Sequence, residues 1–144
     1  MSDVRCDPDG GEMEREELSL VRNLLSESRL LSLGVLVDGK PHVGLLPYVV
    51  ATDFRSALIR ASQLARHSRG LQPGSPFSIL IHAYGDAESD ALQVPRITIS
   101  GRVQLVAQAD ADFDVSRQTY IDRFPSSAQA FHLGDFNLYK LHFE

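Results

Sequence analysis

The densest polar cluster in the chain is Ser62-Gln63-Leu64-Ala65-Arg66-His67-Ser68-Arg69. Its two guanidiniums and one imidazole supply positive charge and forked N–H donors, a set suited to the oxygens of a phosphate or carboxylate. The cluster follows a strand-like run and opens a helical one. A first helical turn there would add backbone N–H groups with no intrahelical partner. A second feature bears on the same stretch. No Asp or Glu stands between Asp53 and Asp86, where the composition predicts about four. That interval holds Arg55, Arg60, Arg66, His67, Arg69 and His82 instead. A solvated helix face also carries arginines, but the missing acids favour an anion site.

Other chemistries find little support. No phosphate-binding glycine-rich loop and no Gly-x-Ser-x-Gly elbow is present. His42, His67, His82, His132 and His142 are scattered, with no i, i+4 pair of the kind that ligates a metal, so no metal site is expected. Cys6 is the one cysteine, which excludes an internal disulfide and a Cys-based zinc site. The net charge of −5 lies in the first 17 residues, and the remainder is neutral. Such a body lacks the broad basic face that nucleic acid requires. The longest apolar runs fall short of the ~18 residues of a membrane span. The acidic amino terminus carries neither the basic n-region nor the apolar core of a signal peptide, so none is expected. A cytoplasmic protein is expected.

These residues need elements to position them. One domain suits 144 residues. Residues 1–11 read as a disordered acidic arm and residues 12–144 as the folded domain. A helix is expected from Glu12, with Leu18, Val21, Leu24 and Leu25 on one face, ending at Ser26–Ser28. Leu30–Val37 and Lys40–Ala51 read as strands joined by the Asp38-Gly39 turn. Pro47 has no N–H to donate, so the second strand must be bulged or at an edge there. Ala57–Ala61, Phe77–His82, Arg96–Ala107 and Phe136–Phe143 read as four more strands, the last apolar on both faces and therefore central. Gly101 within its strand signals a bulge or a close backbone approach. Helices are expected at Leu64–Leu71 and Ala109–Phe124. Six antiparallel strands with few helices make a small, mainly β (α+β) barrel with flanking helices.

The hairpin strand "GKPHVGLLPYVV", the segment "SQLARHSRGL", the strand "VPRITISGRVQLV" and the ending "DFNLYKLHFE" occur in that order. Together they resemble the pyridoxamine 5′-phosphate oxidase-like flavin-binding split barrels, especially the branch related to haem utilisation, over roughly residues 14–144. The resemblance implies a six-stranded split barrel forming a homodimer, with FMN at the subunit interface. It implies that Arg66 and His67 hold the FMN phosphate, with Arg60, Ala61 and Ser62 beside the phosphate and ribityl chain. Leu45, Leu46, Pro47, Tyr48 and Val49 would run along the isoalloxazine ring, and Arg96 would reach the flavin near its carbonyls. The oxidase itself carries Arg and Lys where this chain has Gly44 and Val49, and its carboxy-terminal Trp and Arg elements have no counterpart. Its own reaction is therefore not expected.

Two functions of different classes follow. One is an FMN-dependent oxidoreductase acting on a small molecule the sequence does not identify, with Tyr48, His42 and Arg96 the nearest acid–base candidates. The other is a non-catalytic flavin- or haem-binding protein of the same fold.

Overall fold

Asp38 and Gly39 both take positive φ, 53° and 76°. That backbone is what a two-residue hairpin turn demands, and it folds β2 (Leu30–Val37) onto β3 (Lys40–Val50) in the register Val37↔Lys40 to Leu30↔Pro47. The computed structural model describes residues 3–4, 15–88, 90–132 and 134–144. Its further strands are β1 (Asp3–Val4), β4 (Ser56–Ser62), β5 (Pro76–His82), β6 (Arg96–Val106) and β7 (Phe136–Phe143). Two helices accompany them, α1 (Arg15–Glu27) and α2 (Phe113–Arg123). The order β6-β5-β2-β3-β4-β7, closed by a β6–β7 pairing, is a six-stranded antiparallel barrel. It is a split barrel with flanking helices. Of the expected acidic arm, Asp3–Val4 pair in parallel with Arg96 and Ile97, and the rest of residues 1–11 lies outside the described residues.

Strand alternation sends one side of each strand into the barrel. Leu31, Leu33, Ile59 and Leu141 are fully enclosed there, with Tyr48, Ile79, Ile81 and Val103 around them. Each such aliphatic side chain contributes about 1.5–3 kcal/mol by leaving water. A smaller apolar cluster lies outside the barrel wall, where Leu58, Val106 and Leu138 meet Tyr120 of α2. β7 is flanked by β4 and β6, as its sequence implies, and buries Leu138 on one face and Tyr139 and Leu141 on the other, while His142 is exposed. Gly101 marks a close approach: a β-carbon there would lie 1.7 Å from the His142 carbonyl oxygen.

The helices lock the outside. Tyr48 donates its hydroxyl to the Leu25 carbonyl at 2.7 Å, and burial pushes its pKa up to about 12. Arg123 Nη2 donates to the carbonyls of Ser26 and Ser28 at 3.1 and 3.2 Å, just where α1 runs out of partners. Arg29 Nη2 returns the bond to the Arg123 carbonyl at 3.4 Å. α2 begins later than the sequence implies, because Asp110 Oδ2 accepts from the Ala107 N–H at 2.8 Å and holds that stretch as a turn. No helix among the described residues is long and apolar enough to cross a membrane.

Candidate functional site

Pro47 divides β3 in two. Lys40–Pro47 pair with β2, while only Tyr48–Val50 pair with β4, through Ile59, Leu58 and Ala57. The edge expected at Pro47 is therefore real. Beyond it β3 and β4 part, and the polar cluster lies at this split. Its first residues form a turn fixed by Ser62. Ser62 Oγ accepts from the Leu64 N–H at 3.2 Å, and its carbonyl accepts from the Ala65 N–H at 3.1 Å and from the Ser68 hydroxyl. The Gln63 N–H is used by the Asp135 carbonyl at 2.8 Å.

The helix expected at Leu64–Leu71 is instead a five-residue 3-10 segment, Arg66–Gly70. Packing decides this. Gly70 presses so closely on β2 that a β-carbon would stand 2.8 Å from the Leu36 carbonyl oxygen, and Pro73-Gly74 follow at once. So short a segment has little dipole, and the anion-binding case rests on its side chains. Arg66 is exposed. Arg69, also exposed, lies 3.4 Å from Asp38 Oδ2. His67 turns inward: Nε2 is buried without a partner, and burial lowers the pKa of the ring. Burial thus disfavours the charged imidazole, which adds less positive charge than the sequence suggests.

The remaining residues fall into separate settings. Leu45 is 65% exposed on the outer face of β3, and Pro47 and Val49 are half-buried on that face. Leu46, Tyr48 and Ala61 face the core, at 7%, 1% and 1% exposure, so they support the site from behind. Arg60 points to the outer side of β4. Its guanidinium stands 4.2 Å from the Phe136 ring, 5.7 Å from Phe131 and 6.0 Å from Tyr120. Its Nε and Nη1 are buried with no hydrogen-bond partner. Cation–π attraction holds the charge there without neutralising it. Arg96 is three strands from β3 across β2 and β5. It lines a cavity of about 350 Å³ with Leu80, His82, Ala83, Gly85, Asp86, Ala91 and Val94. Ser62, Arg66 and His67 are thus gathered, and Arg96 stands apart.

The sequence reading missed the aromatic box around Arg60 and the place of Gly44, whose missing side chain leaves room for His67. A glycine inside a strand was the available signal. Among the described residues no group of three or more His, Cys, Asp or Glu stands where it could hold a metal ion.

No protein-family model and no curated protein matches this sequence. Solved structures do match. The heme storage protein HutZ from Vibrio cholerae superposes with a TM-score of 0.74 at 23% identity, over 88% of this chain and 89% of that one. A protein of unknown function from Agrobacterium tumefaciens gives 0.76 at 26% identity, over 96% of this chain and 57% of that one. An FAD and heme binding protein from Mycobacterium smegmatis gives 0.60 at 18% identity, over 92% and 68%. The chain shares with these proteins the split-barrel fold.

Proposed function

We propose that the protein is a homodimeric FMN-binding protein of the cytoplasm. In this reading it works as a flavin-dependent oxidoreductase related to pyridoxamine 5′-phosphate oxidase, on a small-molecule substrate. The observation that carries the reading is the β3–β4 split. Exposed Arg66 and half-buried Ser62 and His67 lie on neighbouring turns of the chain there, with no acid anywhere in residues 54–85. The residues present fit a phosphorylated ligand. Buried nitrogens of Arg60 and His67 have no protein partner, and leaving such groups unpaired costs about 1–3 kcal/mol each.

FMN, when bound, supplies the hydride and electron chemistry, and the protein supplies position and electrostatics. Arg66 offers two parallel N–H groups to phosphate oxygens. Leu45 and Pro47 give the ring an apolar wall, and Leu46, Tyr48 and Ala61 hold that wall from within. Arg96, so far round the barrel, meets the same flavin from a second copy. The exposed Val43, Leu45 and Leu80 on the intervening outer face suit such a contact. Solved neighbours described as binding FAD and heme support the same reading at the level of the fold.

A second reading, a non-catalytic flavin- or haem-binding protein, is favoured by the heme storage protein among those neighbours. The visible spectrum separates the two. Oxidised-flavin bands after incubation with FMN, bleached by NADH or NADPH, are expected, with sedimentation at twice the chain mass of 15.9 kDa. A Soret band with haem and no flavin bands would favour the second reading. A monomer at micromolar concentration would remove the dimer.

A further inference from the structure

A side chain from elsewhere in the chain occupies the space beside Gly44. A β-carbon built on Gly44 would stand 2.7 Å from His67 Nδ1 and 3.2 Å from Cγ and Cε1 of the same ring. The imidazole edge therefore rests against a bare Cα, in room that any other residue at 44 would fill. The far end of the 3-10 segment is seated the same way, with Gly70 against the Leu36 carbonyl and Val35. Between them the Ser68 hydroxyl donates to the Ser62 carbonyl. Three contacts thus tie five residues to β2, β3 and β4, and Arg66 projects from the tied segment into solvent. Burial disfavours the charged form of the His67 ring, and its contact at this seat is one of shape.

We propose that Gly44 is a positioning residue for ligand binding: by yielding its side-chain space to His67 it fixes the Arg66–Gly70 segment, and so sets Arg66 where a ligand phosphate is held. The identity of that ligand rests on the flavin reading, whereas the seat does not. A methyl group at position 44 meets a rotatable ring and not backbone, so Gly44→Ala should fold and displace His67. In the unliganded protein, NMR should then show the His67 pKa rising toward that of an ordinary histidine.

Gly44→Ala should weaken FMN binding about tenfold, as expected if one charge-assisted contact is misaligned, and should leave riboflavin affinity within about threefold. His67→Ala should do the same. Because the two act through one seat, the double variant should be no weaker than the weaker single one. Unchanged FMN affinity in folded Gly44→Ala would overturn the proposal. So would an equal loss for FMN and riboflavin, or additive losses in the double variant. If the wild type binds neither flavin, the proposed function falls and inorganic phosphate becomes the probe. A phosphate-induced NMR shift at the Arg66 amide that Gly44→Ala weakens would still support the seat. A shift equal in both proteins, or none in the wild type, would overturn it.

Discussion

Of the six seams that close this barrel, β6–β7 and β3–β4 are built differently. At β6–β7, six residue pairs run without a break from Gly101↔Phe143 to Val106↔Leu138, and the backbones come so close that Gly101 has no room for a methyl group. At β3–β4, three pairs run from Tyr48↔Ile59 to Val50↔Ala57, and then the strands separate. Pro47 has no N–H with which to extend that ladder. The space is taken by a 3-10 segment whose outward groups are polar. In the proposed reading, closure and ligand access therefore fall to different seams. Each glycine serves its seam: Gly101 admits another backbone, and Gly44 admits a side chain. The comparison predicts that damage to the tight seam unfolds the protein, while damage at the split removes binding and spares the fold.

Gly101→Ala should have the largest effect. Its β-carbon would collide with the His142 carbonyl oxygen, and a backbone collision relaxes only by moving a strand. Overpacking of this kind costs about 3 kcal/mol or more, read as a lower urea midpoint. Wild-type stability in this variant would show that the seam is not tight.

At the split, Arg66→Ala should weaken FMN binding roughly 30- to 150-fold, for a charge-assisted contact of about 2–3 kcal/mol. The melting temperature should hardly change, because Arg66 is exposed. Arg66→Lys keeps the charge but loses the fork and should fall between. Equal affinities in all three, measured by flavin fluorescence, would remove Arg66 from the site.

Tyr48→Phe sharpens the boundary between the seams, since Tyr48 holds the last β3–β4 pair to α1. Losing the bond to the Leu25 carbonyl should cost about 1–2 kcal/mol. The pH dependence has a definite sign. The folded pKa of about 12 lies above the ordinary 10.0, so the contribution of the neutral phenol is complete below pH 10 and is lost as pH rises through the folded value. Alkaline denaturation of the wild type should steepen in that window, and the Phe variant should lack that component.

The strands were legible because their signals are local. Asp38-Gly39 sets a turn within two residues, Pro47 announces an edge by its missing donor, and Phe136–Phe143 shows its central place by apolar residues on both alternations. The polar cluster was also visible as residue types. Its geometry was not, because partners distant in sequence determine it. Gly70 and Leu36 force a 3-10 segment where periodicity suggests a helix. The His67 ring lies against Gly44, 23 positions earlier, and burial disfavours its charged form. The box around Arg60 is assembled from Tyr120, Phe131 and Phe136, which no local pattern connects to β4. Arg96 belongs with Arg66 by resemblance, yet two strands intervene between β6 and β3.

The central claim is that the split holds a ligand by its phosphate. Titration of the wild-type protein with FMN and with riboflavin, in the same buffer, tests it most directly, because the two differ only in that group. The account predicts that FMN binds at least about tenfold more tightly, a difference of about 1.4 kcal/mol, and that inorganic phosphate competes with FMN but not with riboflavin. Equal affinity for the two flavins, or none for FMN even at millimolar concentration, would contradict it.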